Sequence, residues 1–159
     1  MPEFTRTDKD RRTEMTGNLI ANAAVTIGSS RARVWDALVN PSSIKEYMFG
    51  ADVVSDWTQG SPITWKGEWE GKPYEDKGEI HYVEPGEKLA YSHFSPLAGL
   101  PDKPENYHTV TVTLDGDGDE TRVSLTQDNN PTEEAREHSE KNWKTMLDGL
   151  KKFVEGKTG

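Results

Sequence analysis

The chain has 159 residues, with 19 Lys and Arg against 28 Asp and Glu, a formal net charge of -9, 32% hydrophobic residues and no cysteine. The sequence pI is about 4.9 and the mean hydropathy -0.86. This composition excludes disulfides, thiolate metal sites and thiol nucleophiles. An acidic surface repels phosphate backbones, so nucleic acid is not an expected partner. No apolar run has the length of a membrane span, and the first residues lack a signal-peptide core, so a cytoplasmic protein is expected.

Residues 1–18 show little apolar periodicity and read as a flexible polar tail, in which Arg6, Lys9, Arg11 and Arg12 are diluted by Glu3, Asp8, Asp10 and Glu14. Ile20, Val25 and Ile27 mark a strand over residues 19–27. Ser29 or Ser30 then caps a short helix over 31–39, whose buried side is Val34, Trp35, Ala37 and Leu38. Asn40-Pro41 breaks it, and Pro41 opens a second short helix through Ile44, Tyr47 and Met48, ended by Gly50. Five or six strands follow, over residues 51–57, 63–70, 74–84, 88–95, 107–114 and 121–127. In 63–70 the alternation puts Ile63, Trp65 and Trp69 on one face. Pro85-Gly86 and the Asp/Gly loop 115–120 are turn signals. The last helix has Asn130 as its cap, Pro131 in its first turn and Glu133 as a capping-box acid. Trp143, Met146, Leu147, Leu150 and Val154 recur every three or four residues and form one apolar stripe. Residues 157–159 are a short tail.

This order predicts one α+β domain over residues 19–156, a helix-grip. A curved antiparallel β-sheet wraps around a long C-terminal helix, and two short helices follow the first strand. The first strand joins the sheet at its far edge. A helix laid on a concave sheet leaves a cavity, and its lining is the candidate site.

Pairing across Pro85-Gly86 sets Tyr82 opposite Leu89, Ile80 opposite Tyr91 and Gly78 opposite His93, all inward-facing if Leu89 is. Gly78 then leaves a gap beside the His93 imidazole. A polar group beside empty apolar space has the form of a ligand site; the competing reading is a core histidine satisfied by water or Tyr91. Keeping Val112 opposite Val123 brings His108 opposite Gln127. With no carboxylate to orient the imidazole, that pair reads as structural in preference to acid–base. Trp57, Trp65, Trp69 and Tyr82 read as core aromatics that also wall the cavity. Asp115, Asp117 and Asp119 copy the opening of a calcium loop, but Thr126 stands at its twelfth position, so a hairpin turn is preferred. His81, His93, His108 and His138 lack metal-ligand spacing, and His81 is expected to face solvent. The candidate ligand-binding set is Trp65, Trp69, Ile80, Tyr82, Tyr91, His93, His108, Gln127, Trp143 and Met146, with no metal, no cofactor and no catalytic residue assigned.

The stretch Val34-Trp35-Asp36-Ala37-Leu38-Val39-Asn40-Pro41 resembles the first helix of the SRPBCC (START-like) superfamily, and within it the family related to the heat-shock-protein-90 ATPase activator. Gly78-Glu79-Ile80 through Val83-Glu84-Pro85 and Lys88-Leu89-Ala90-Tyr91 resemble that family's central hairpin. Thr121-Arg122-Val123-Ser124-Leu125 resembles its last strand, and the run from Trp143 to Lys151 its closing helix. Tyr47 stands where many members carry Trp, His93 where an aromatic is common, and Gln127 where His is frequent. The resemblance implies a hydrophobic-ligand cavity, in a superfamily that includes lipid carriers, cyclases and co-chaperones. The leading expectation is a domain that binds a hydrophobic or amphipathic small molecule between the sheet and the C-terminal helix. The first alternative is a co-chaperone-like interaction module acting on a heat-shock-protein-90 relative. The eukaryotic activators generally carry a further N-terminal domain where this chain shows a polar tail. The second is a cyclase- or hydrolase-type enzyme using His93 or His108 with Tyr91; it ranks last because no nucleophile or oriented base is visible.

Overall fold

In the computed structural model, residues 19–48, 50–69, 71–96 and 99–156 are described; the two tails assigned above, 1–18 and 157–159, lie outside the described residues. β1 (Leu19–Ile27) leads into α1 (Arg31–Val39). Ser30 Oγ closes the first turn of α1 by accepting from the Arg33 N–H at 3.3 Å. Asn40 ends α1 and caps α2 (Pro41–Tyr47), accepting from the Ser42 N–H at 3.1 Å. Pro41, at the start of α2, loses no hydrogen bond there. The strands that follow are β2 (Asp52–Ser55), β3 (Pro62–Trp69), β4 (Lys72–Glu84), β5 (Lys88–His93), β6 (His108–Asp115) and β7 (Thr121–Asn130). They form a seven-stranded sheet with β1 in the order β1-β7-β6-β5-β4-β3-β2. Every pairing is antiparallel, and β1 takes the far edge beside β7. β2 is shorter than the expected strand over 51–57.

The inner face of the sheet presents Ile63, Trp65, Ile80, Leu89, Tyr91, Val110, Val112, Val123 and Leu125, all buried. Met146, Leu147, Leu150 and Val154 of α3 (Glu133–Gly156) meet them in one core, with Trp143 half-buried at the end of the stripe. The amphipathic stripe therefore packs as its spacing requires.

Three details of register and capping correct the sequence reading. First, α3 is capped by Thr132, whose Oγ1 accepts from the Ala135 N–H at 3.0 Å. Asn130 belongs to β7 and is 1% exposed. Its Nδ2 donates to Leu19 O and to Gln127 O, both at 3.0 Å, and its Oδ1 accepts from Ser139 Oγ at 3.0 Å. The residue thus ties β1, β7 and α3 together. Asn130→Ala leaves three buried or part-buried groups without their partner, and a denaturation curve should show a larger loss than Thr132→Ala, where a missing cap costs about 1 kcal/mol.

Second, the hairpin across Glu84–Lys88 turns with Pro85 and a positive-φ Gly86 (78°), closed by the Glu87 N–H to Glu84 O at 2.9 Å. Ile80 pairs with Tyr91 as expected, but Tyr82 pairs with Ala90 in place of Leu89, because a bulge sits between Ile80 and Tyr82. The extra residue turns Tyr82 to the outer face, where it is 42% exposed and donates to Glu84 Oε1 at 2.7 Å. Third, β6 and β7 pair Val112 with Leu125 and Leu114 with Val123, two residues from the expected register. Gln127 therefore lies opposite Val110 and not His108, which pairs with His93 on β5.

The free edge of β1 is held by charged side chains of α3. Glu140 Oε2 accepts from the Asn22 N–H at 2.9 Å, Lys151 Nζ donates to Thr26 O at 3.0 Å, and Glu155 Oε2 accepts from the Gly28 N–H at 2.7 Å. Lys151 and the Gly28 amide hold the Glu155 carboxyl below the usual carboxylate range. A depressed carboxylate contributes stability above its unfolded pKa and loses it as pH falls through the folded value. Acid should therefore loosen this edge, seen as faster amide exchange of Gly28.

Candidate ligand-binding cavity

Beneath α3 the inner face of the sheet is not completely filled. Met48, Trp65 and Tyr91 separate two cavities and line both. The smaller, about 30 Å³, is apolar, walled by Leu38, Ile44, Ile63, Leu89, Val112 and Met146, with Trp57 and Tyr47. The larger, about 120 Å³, is lined by Met48, Ala51, Trp65, Tyr74, Asp76, Tyr91, His93 and Trp143. It reaches the surface at its polar side, where the His93 and Asp76 side chains are 27% and 15% exposed.

Each wall has a local cause. Trp65 and Tyr91 lie at alternate, inward positions of β3 and β5; their rings meet at 5.3 Å between centroids. Tyr74 is paired with Gly67, where a Cβ would come within 2.8 Å of the Tyr74 hydroxyl and 3.0 Å of its ring, so the glycine leaves room for the ring across β3. Gly67→Ala should displace that ring, visible as a changed near-ultraviolet circular dichroism signal. Trp143 is pinned at its edge, its Nε1–H donating to Gln127 Oε1. The His93 ring stands edge-on to Trp65 at 5.0 Å and stacks on His108 at 6.4 Å. His108 Nδ1 lies 2.9 Å from Asp128 O; a carbonyl only accepts, so Nδ1 carries the proton.

His93 Nε2 donates to Asp76 Oδ2 at 2.9 Å. The other oxygen, Asp76 Oδ1, is buried and has no hydrogen-bond partner. An acceptor buried without a donor is costly, and in native proteins it calls for a specific explanation. Burial raises the Tyr91 phenol well above its ordinary pKa, and burial with the neighbouring Tyr91 does the same for Tyr47. Both hydroxyls stay protonated and neither acts as a base near neutral pH. Among the described residues, no Ser, Thr, Cys or Lys lines the larger cavity.

Of the residues singled out in the sequence, Trp65, Tyr91, His93 and Trp143 come together around the larger cavity, and Met146 lines the smaller one. Ile80 is fully buried in the core, and Gln127 acts on the cavity through Trp143. His108 stands behind His93, hydrogen-bonded to the β7 backbone and not to Gln127. Tyr82 is on the opposite face, and the side chain of Trp69 lies outside the described residues. The expected gap beside His93 is not at Gly78. An ideal Cβ there would lie 1.8 Å from Ser92 O, so the β5 backbone occupies that space. Sequence reasoning missed Asp76, Tyr74, Met48 and Ala51. Asp76 was within reach: it shares the parity of Gly78 and Ile80, so alternation alone puts a carboxylate on the inner face.

Among the described residues no helix is long and apolar enough to cross a membrane. The family model described as "Activator of Hsp90 ATPase homolog 1-like protein" matches residues 29–155. A protein from Cytophaga hutchinsonii, known from its solution structure, is 59% identical, with a TM-score of 0.77 over 88% of this chain and 96% of that one. The Aha1 dimer from Colwellia psychrerythraea is 20% identical, with a TM-score of 0.67 over 87% of this chain and 96% of that one. CalU16 from Micromonospora echinospora is 19% identical, with a TM-score of 0.65 over 90% and 88%. The last two establish likeness of fold alone. No curated protein matches the sequence.

Proposed function

The chain belongs to the family of proteins like activator of Hsp90 ATPase homologue 1, and from that premise we propose that it is a small-molecule-binding protein whose ligand occupies the cavity between Trp65, Tyr91, His93 and Trp143. The observation that carries this reading is the Asp76 carboxylate in the cavity wall, one oxygen of which is buried without a donor. A ligand with one hydrogen-bond donor on an apolar body would satisfy it. The size supports a compact guest: about 120 Å³ is close to the ~150 Å³ of an engineered apolar cavity that takes up benzene. Met146 lines the smaller cavity behind Trp65 and Ile80 lies in the core, while Gln127 holds Trp143 and His108 stacks on His93. A chain without cysteine needs no oxidising compartment, and a cytoplasmic setting is part of this proposal.

A thermal-shift screen of ring-sized fragments tests it. At a hundred times its dissociation constant a ligand stabilises the fold by about 2.7 kcal/mol, or roughly 5–10 °C for a domain of this size. Ala51→Leu fills the cavity and should abolish the shift; shifts that survive it would place the ligand elsewhere. The family description favours a second reading, a co-chaperone module acting on a heat-shock-protein-90 relative. Stimulation of such an ATPase by the purified chain, unchanged by Ala51→Leu, would support that reading over the first.

A further inference from the structure

We infer that the ligand class is an organic ammonium, an alkyl- or arylammonium head held by Asp76 inside a box of aromatic rings; this rests on the cavity being the binding site. Three observations converge. The Asp76 carboxylate receives one proton donor, His93 Nε2–H, and its Oδ1 receives none. Among the described residues no Lys or Arg lines the cavity, so no side-chain cation of the lining meets Oδ1. The remaining wall is aromatic: Trp65, Tyr74, Tyr91 and Trp143, with Met48 and Ala51 completing it. Ring faces attract a cation through their quadrupole, most strongly where water is excluded. A neutral hydroxyl would satisfy Oδ1 but draw nothing further from the rings, and a carboxylate or phosphate head would be repelled by Asp76. The protein's net charge of -9 adds a field that concentrates cations at the surface.

The cavity is open at its polar side, where Asp76 and His93 retain partial exposure, and along the half-buried Tyr74 and Trp143 rings. The ammonium therefore enters a site continuous with solvent, and an apolar substituent would point inward past Trp65 toward Met146 and Leu89 of the smaller cavity.

Pairs of isosteres test this on the intact protein by calorimetry: choline against 3,3-dimethylbutan-1-ol, and benzylammonium against benzyl alcohol, with benzoate as the anion. Each cation is expected to bind at least 10-fold more tightly than its neutral partner, and benzoate not at all. Asp76→Asn should bring the cation down to the affinity of the alcohol while leaving the alcohol within 3-fold. Alcohols that bind as well as the cations overturn the ammonium assignment and leave the cavity reading standing. Absence of binding by every probe, with the protein folded by its amide spectrum, overturns both. The wild-type comparison needs no variant, so a destabilised Asp76→Asn protein does not blunt the test.

Discussion

Gly78→Ala is expected to disrupt the β4–β5 pairing and lower the melting temperature by roughly 6–20 °C, taking about 2–4 °C per kcal/mol for a domain of this size. An ideal Cβ at Gly78 lies 1.8 Å from the Ser92 carbonyl oxygen and 2.6 Å from its carbon. Both are backbone atoms, so no rotamer change can relieve the contact. β5 has to move, and the bonds bracketing the site move with it. These are the Lys77 N–H to Phe94 O at 3.0 Å, the Phe94 N–H to Lys77 O at 2.8 Å and the Glu79 N–H to Ser92 Oγ at 2.9 Å. Overpacking alone costs about 1–3 kcal/mol, and a lost hydrogen bond adds about 1 kcal/mol, so with two of the three bonds lost a total near 3–5 kcal/mol is expected. Gly149→Ala is the control. Its Cβ would meet Tyr47 at 3.5 Å or more, an ordinary contact, and alanine gains up to about 1 kcal/mol in a helix interior. A Gly78→Ala protein that melts with its parent would show that β4 and β5 do not approach so closely.

That residue also marks how far the sequence could be read. The elements were legible because their signals are local: Ser30 and Asn40-Pro41 set two helix starts, Pro85-Gly86 sets a hairpin, and the Met146, Leu147, Leu150, Val154 spacing sets the long helix. The pairing of Ile80 with Tyr91 followed from strand parity. Parity fails at a bulge, however, and the extra residue between Ile80 and Tyr82 has no signature in composition, so Tyr82 was assigned to the wrong face. The β6–β7 register depends on how many loop residues join the ladder after Asp115, which glycines at 116 and 118 leave open. Asn130 carries the residue type of a helix cap, yet tertiary demand for its amide from Leu19, Gln127 and Ser139 overrides that local preference. The site was legible in its aromatic walls. It was not legible in its polar anchor, because the His93–Asp76 contact joins residues 17 positions apart that are not direct partners in the ladder.

Trp65→Ala should be among the most damaging single changes in the sheet and the most informative about the cavity. Trp65 is 6% exposed, its ring packs on Tyr91 at 5.3 Å and His93 at 5.0 Å, and it lines both cavities. Truncating a buried Trp typically costs about 3–5 kcal/mol, a large part of the ~5–15 kcal/mol that holds a domain together. The melting temperature should fall by roughly 6–20 °C. The change also joins the two cavities into one space with the shape of the lost ring. Indole should re-enter that space and raise the melting temperature of the variant more than that of the parent, since it stabilises only the state that binds it. Ammonium binding should weaken at the same time, by the roughly 2–30-fold that corresponds to about 0.5–2 kcal/mol of a cation–ring contact. Loss of stability without rescue by indole would mean that the sheet collapses into the hole. Rescue by indole with ammonium affinity unchanged would mean that Trp65 walls the cavity but does not touch the charged head, leaving Tyr74, Tyr91 and Trp143 to surround it.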